Sequence, residues 1–142
     1  MRCSRESLSD SELLAAARSA RRHARAEYSN FKVGAAIETA DGTIVTGCNI
    51  ENATYGLTMC AERVAIFKAL SEGHRAFRRL VVVADTADLT PPCGACRQLV
   101  WEFAGDIEVV LVNLQDVATT YRMSELLPHP FDSRFLGGGR PG

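Results

Sequence analysis

Neither sign of charge dominates this chain. Its 16 Lys and Arg stand against 17 Asp and Glu, which leaves a formal charge of −1 at pH 7. A dedicated nucleic-acid binder usually shows a basic patch or a strongly basic balance, so that class is disfavoured. No apolar run approaches the roughly 20 residues that a membrane-spanning helix needs. There is no internal repeat, no interdomain linker and no stretch that reads as a secretory signal. Without such a signal, five cysteines, an odd number, read as reduced thiols in the cytoplasm rather than as a disulfide framework. Histidine is scarce. His23, His74 and His129 stand alone, without ligand spacing to the thiols, and each reads as a surface or packing residue. What is left, 142 residues with 46% hydrophobic and 23% charged, is an ordinary globular composition with enough length for one core. The expected domain spans 1–136, and the Gly-rich tail 137–142 is expected to be disordered.

The chemistry-bearing residues are thiols in two clusters: Cys60-Ala61-Glu62 and, further on, Pro92-Cys93-Gly94-Ala95-Cys96. A Cys-x-x-Cys pair alone is compatible with metal binding, with redox chemistry, or with neither. The redox reading has some support, because the pair follows the strand-like run Leu80-Val81-Val82-Val83-Ala84 and opens a helix, as thioredoxin-type motifs do. A dithiol mechanism gives no work to Cys60 or Glu62, however. A closed structural zinc site, which would suit a partner-binding module, needs a fourth ligand. Cys48 could supply one, but at the end of a strand-like run it reads better as a small buried hydrophobe. Cys3 falls near the terminus and carries no signal. The combination favours an open catalytic zinc with Cys60, Cys93 and Cys96 as ligands and one free position. Such an ion lowers the pKa of its water to about 7. Glu62 is then no ligand but the base that receives and passes on protons.

Periodicity supplies a coarse frame. The capping box Ser9 to Glu12 and the stripe Leu13, Ala17, Ala20 and Ala24 predict a helix from about Ser9 to Glu27. Arg18, Arg22 and Arg25 fall on its opposite face, read as solvated. Strands over about Phe31 to Glu38 and Ile44 to Asn49 pair across Asp41-Gly42, a hairpin signal. A second helix runs from about Thr58 to Glu72, with Gly73 as its stop. It is apolar on nearly every side, so a sheet can cover only part of it and another subunit is expected to cover the rest. A third helix from about Cys93 to Phe103, the strand Glu108 to Asn113 and a short helical piece complete an α/β layered domain around a mixed sheet. Both thiol clusters fall at helix N-termini, where free N–H groups favour thiolate. Three thiolates on one divalent ion leave excess negative charge. Arg63 could offset it by hydrogen bonding to a thiolate, and Gln98 in the same way.

Taken together, these stretches resemble the small homotetrameric cytidine deaminases. The pattern of Cys, x-Glu and a later Pro-Cys-x-x-Cys is that of zinc nucleobase deaminases. Further stretches match in order: Tyr28-Ser29-Asn30-Phe31-Lys32-Val33-Gly34-Ala35-Ala36, Gly47-Cys48-Asn49-Ile50-Glu51-Asn52-Ala53, Cys60-Ala61-Glu62-Arg63, Pro92 to Gln98, and Leu126-Leu127-Pro128 with Phe131. The resemblance covers about residues 10 to 135. It implies a single-domain three-layer α/β/α sandwich around a mixed five-stranded sheet, one Zn2+ per chain, and a homotetramer with sites at subunit interfaces. It also implies deamination of cytidine and 2′-deoxycytidine to uridine and 2′-deoxyuridine, a step of pyrimidine salvage. In that family an activated water attacks C4 while the glutamate, here Glu62, protonates N3 and then the departing amine. Asn49 and Glu51 hold the ribose 3′-hydroxyl, and Phe31 packs on the pyrimidine. Tyr55, Ala61 and Pro91 contact the substrate, and Phe131 reaches a neighbouring subunit's site. One departure is Pro91, where family members commonly carry Ser or Thr. Proline keeps the carbonyl that accepts from the 4-amino group, so only an auxiliary side-chain bond is in question. Two other enzyme readings fit the residues less well. A deaminase of a blasticidin-type antibiotic has no use for the intact Asn49-x-Glu51 pair, and a polynucleotide editor would want the basic surface this chain lacks.

Overall fold

A computed structural model describes residues 8–137. Five strands lie in the order β2-β1-β3-β4-β5, with β1 Val33–Thr39, β2 Ile44–Cys48, β3 Phe77–Ala84, β4 Glu108–Val112 and β5 Ala118–Arg122. Only β3 and β4 run parallel; the other pairs are antiparallel, so the sheet is mixed. All of β1 is buried, as a strand covered on both faces must be. Side chains alternate across a strand, and the alternation here sorts the core into two halves. Ala36, Val81, Val83 and Val112 meet Leu13 and Ala17 of α1 (Leu8–Arg21). Ala35, Ile37, Leu80, Val82 and Leu111 meet Ala61, Ala65, Ile66 and Ala69 of α2 (Ala61–Ser71) and Val100 of α3 (Gly94–Ala104). The result is the expected three-layer sandwich. A short α4 (Met123–Leu126) plugs Met123 into the second half.

Several element boundaries differ from those predicted. Helix α1 ends at Arg21, not Glu27, because the chain tightens into a turn at 22–24 and Arg25 then pairs as backbone with Asn49 and Glu51 (2.9 and 2.8 Å). Helix α2 starts at Ala61 rather than Thr58, since Ile50 and Met59 exchange two backbone bonds of 2.9 Å that hold the preceding residues extended. Strand β5 gave no periodic signal of its own. Its sequence, Ala-Thr-Thr-Tyr-Arg, is polar and largely exposed at the sheet edge, and it was implied by family resemblance alone. The hairpin turn and the α2 stop are as predicted, with Gly42 and Gly73 at φ +91° and +96°. The side chain of Ser9, Cys3 and the tail beyond Gly137 lie outside the described residues. Among those described, no helix is long and apolar enough to cross a membrane.

Candidate active site

The strand register brings remote parts of the chain to one end of the sheet. Gly34 near the start of β1 faces both Cys48 at the end of β2 and Val83 near the end of β3. Phe31, the Asn49–Glu51 segment and the loop to Cys93 therefore leave the sheet at the same end. Helices α2 and α3 begin beyond those strand ends, with Cys60 and Cys93 at their N-cap positions. Gly47 brings α2 close: a Cβ there would lie 2.5 Å from both the Ala61 carbonyl oxygen and the Ala65 nitrogen.

The two caps place three sulfurs together. The Sγ atoms of Cys60, Cys93 and Cys96 all lie within 4.8 Å of one another. Cys93 Sγ accepts from the Cys96 backbone N–H at 3.4 Å, and Arg63 Nη2 donates to Cys60 Sγ at 3.5 Å. The Cys60 thiol is brought down to about 5 by donation from Cys96 first, with Arg63 assisting. Cys96 moves up, because Cys60 beside it and burial both oppose a second thiolate. Three sulfurs this close ionise together only around a cation, and soft thiolates suit zinc. The donor set therefore fits the ion. Arg63, raised by Cys60 and then Cys96, supplies the expected countercharge, and its Nε is a further buried donor without an acceptor. Cys48 is outside the cluster and half-buried.

Glu62 is the second residue of α2 and only 5% exposed. Burial pushes its carboxyl up to about 7, against a smaller opposing pull from its own backbone N–H. A carboxyl poised near neutrality can both take and give a proton. Ala61, just before it, is fully buried.

A cleft of about 370 Å³ lies nearby in sequence, lined by Tyr28, Ser29, Glu51, Asn52, Tyr55 and Thr58. Glu51 is fixed within it: one carboxylate oxygen accepts from the Tyr28 and Ser29 N–H groups (2.9 and 3.0 Å), and the other accepts from the Ser29 hydroxyl. The Ser29 hydroxyl bond leads the causes that hold this carboxyl below its usual range. Glu51 is half-buried. Tyr28 and Ser29 fall in the matching stretch beside Phe31, and nothing else in the sequence marks them as partners of Glu51. Asn49 is buried, and its amide is engaged with backbone, accepting from Val33 N–H (2.9 Å) and donating to the Phe31 carbonyl (2.8 Å). It thus sets the position of Phe31, a residue 39% exposed. Tyr55 is 75% exposed and meets Tyr28 edge-on at 6.1 Å. Pro91 is exposed ahead of the fully buried Pro92. Phe131, 57% exposed, stacks on Phe135 at 5.7 Å. Gln98 departs from its expected role: its Nε2 donates to the Phe131 carbonyl at 2.8 Å, so it anchors the carboxyl-terminal segment rather than a thiolate.

Comparison with known proteins agrees with this geometry. The family model described as the cytidine and deoxycytidylate deaminase zinc-binding region matches residues 7–113. The cytidine deaminase of Sporosarcina psychrophila is 48% identical over 126 residues, covering 88% of this chain and 93% of that one. The cytidine deaminase of Halalkalibacterium halodurans is 53% identical over 113 residues, covering 79% and 86%. Among solved structures, the cytidine deaminase from Burkholderia pseudomallei superposes with a TM-score of 0.83 at 48% identity, covering 85% of this chain and 98% of that one. With three sulfurs gathered at two helix caps, a buried carboxyl beside them and these relatives spanning most of its length, the chain belongs to the zinc-dependent cytidine deaminase family.

Proposed function

We propose that this chain deaminates cytidine and 2′-deoxycytidine hydrolytically, with Cys60, Cys93 and Cys96 holding zinc and Glu62 moving the protons. The observation that carries the assignment is the trio of sulfurs within 4.8 Å, next in sequence to a buried carboxyl. Bound there, zinc supplies the Lewis acidity that makes a water acidic, with a pKa of about 7. Glu62 takes the proton released as water adds to C4 and delivers it to N3 of the ring. It then takes a second proton from the new C4 hydroxyl and passes it to the amine as the C4–N4 bond breaks and the C4 carbonyl forms, so uridine and ammonia leave and the carboxyl returns to its starting state. Arg63 balances the thiolate charge at Cys60.

The remaining residues orient the nucleoside. Phe31 packs on the pyrimidine, with Asn49 fixing its backbone. The Asn49 Nδ2 retains one hydrogen beyond that bond, and Glu51 Oε2 retains one unused lone pair, so both can meet the ribose 3′-hydroxyl. Tyr55 flanks the sugar cleft, Ala61 lets the ring approach the first turn of α2, and the Pro91 carbonyl accepts from the 4-amino group. Phe131 reaches a site on a neighbouring subunit of a homotetramer. The apolar side of α2 that leaves Phe67 43% exposed supports that assembly, as does the exposed Phe131–Phe135 stack. A stable, active monomer by light scattering at micromolar concentration would count against it.

The test of function is an ultraviolet assay of cytidine loss, with and without a chelator, on protein of measured metal content. Turnover that tracks zinc at one ion per chain is expected. Zinc-loaded protein inert toward cytidine, or metal-free protein that turns it over, would refute the assignment.

A further inference from the structure

Arg97 lies one turn into α3, and its guanidinium joins two parts of the chain that are remote in sequence. Nε donates to the Pro92 carbonyl at 2.8 Å, and Nη1 donates to the Leu126 carbonyl at 2.8 Å. Pro92 immediately precedes Cys93, so the first bond fixes the peptide that enters the ligand-bearing turn. Leu126 ends α4 and opens the segment that leads to Phe131, so the second bond fixes where that segment starts. The same helix holds the segment further along: Gln98 donates to the Phe131 carbonyl, and Trp101 Nε1 donates to Asp132 Oδ2 at 3.1 Å. Helix α3 therefore carries Cys93 and Cys96 at its N-terminus and the carboxyl-terminal aromatic segment along its side. Both Arg97 partners are neutral carbonyls, so placement rather than charge neutralisation is its contribution. The chemistry requires arginine, because a planar fork of donors spans two acceptors at once where an ammonium is a single point charge.

We propose that Arg97 is a positioning residue that locks the Cys93 turn to the segment carrying Phe131, so that metal retention and nucleoside binding depend on one side chain. This rests on the reading above that the cysteines hold zinc and Phe131 meets substrate. Zinc-loaded wild type, Arg97→Gln and Arg97→Lys are compared for the rate at which a chelator strips zinc, and for KM and kcat on cytidine. Losing bonds from a charged donor is worth about tenfold or more. Arg97→Gln is expected to release zinc about tenfold faster and to raise KM about tenfold, with kcat per zinc-loaded chain little changed. Arg97→Lys, which reaches one carbonyl at a time, should fall between. Wild-type zinc release and KM in Arg97→Gln overturn the proposal. So does a change in only one of them, because the two ends would then not be joined through this residue. If Arg97→Gln does not fold, Arg97→Lys decides in its place, and wild-type values for both quantities overturn the proposal. Failure of the underlying reading is distinct, since wild type itself would then lack zinc or cytidine turnover.

Discussion

Replacing Gly47 with alanine tests whether the close seating of α2 on β2 is what places Cys60 and Glu62. The added Cβ would meet the Ala61 carbonyl oxygen and the Ala65 nitrogen at 2.5 Å each, and Val64 Cβ at 3.0 Å. Comfortable separations are about 3.5 Å, so the first turn of α2 must retreat by about 1 Å. Two of the three obstructing atoms are backbone, and no rotamer change relieves them. Overpacking of this kind costs about 1–3 kcal/mol, which at this chain length lowers Tm by several degrees. The catalytic penalty is larger, because a misplacement of about 1 Å costs on the order of 10²-fold in rate. Gly34→Ala is the comparison. Its Cβ would lie 2.2 Å from the Ala17 carbonyl oxygen of α1, on the opposite face of the sheet from the cysteines. It should destabilise at least as much yet cost far less activity per folded molecule. Gly94→Ala, where a Cβ meets nothing within 4 Å, should be neutral to slightly stabilising, by up to about 1 kcal/mol. The assay combines thermal melting, metal content and initial rates on cytidine well below Tm. Wild-type rates in Gly47→Ala, or an equal rate loss per folded molecule in Gly34→Ala, would refute the reasoning.

Three further outcomes follow from the site. Glu62→Gln should keep zinc but lose about 10²–10⁴-fold in kcat, checked by metal analysis and rate on one preparation; retention of a tenth of the activity would remove Glu62 from proton transfer. Alanine at Cys60, Cys93 or Cys96 should release zinc, whereas Cys48→Ala should retain it because its thiol lies outside the cluster; metal analysis decides, and an empty Cys48→Ala protein would indicate a four-thiolate structural site. Cytidine 3′-phosphate should be a poor substrate, because its charge would approach the Glu51 carboxylate. Glu51 is only half-buried, so solvent and salt screen part of this repulsion and it falls short of that between two buried charges. Comparing kcat/KM for cytidine and its 3′-phosphate on wild type and Glu51→Gln measures it, and no preference in wild type would exclude Glu51 from the 3′-oxygen.

The parts of the fold legible in the sequence are those whose signal is local. The stripe of Leu13 and Ala17, the Asp41-Gly42 turn and the Gly73 stop each act within a few residues. The candidate metal ligands were legible for a chemical reason: three thiols with a nearby glutamate leave few alternatives once the fourth-ligand candidates are removed. What escaped depends on contacts between distant segments. Ser29 is an ordinary serine until the fold brings Glu51 to its hydroxyl, and Arg97 carries no local signal until Leu126 arrives. Gln98 illustrates the converse. Its place after the second ligand pair suggested a thiolate partner, yet a free backbone carbonyl at Phe131 claims its amide. Strand β5 escaped because an exposed edge strand needs no alternating apolar pattern.

The topology explains why one end of this sheet collects the chemistry. Because β1 is antiparallel to both its neighbours, β2 and β3 run in the same direction and finish at the same end of the sheet, on either side of β1, with Cys48 and Val83 both facing Gly34. A helix that follows each strand must return along the sheet, so the N-termini of α2 and α3 both start at that finishing end. Ligands in open α/β sheets gather beyond the carboxyl ends of strands for this reason. Here the arrangement gives two helix caps rather than one. Each cap offers free N–H groups and a favourable dipole end to an anionic sulfur, and the third sulfur, Cys96, follows one turn later on α3. The same crossing brings the start of β1 to that end, so Phe31 and the Asn49–Glu51 segment arrive beside the caps without any long loop. The pairing order of three strands thus accounts for a candidate metal centre and a neighbouring cleft assembled from residues that the sequence spreads from Tyr28 to Cys96.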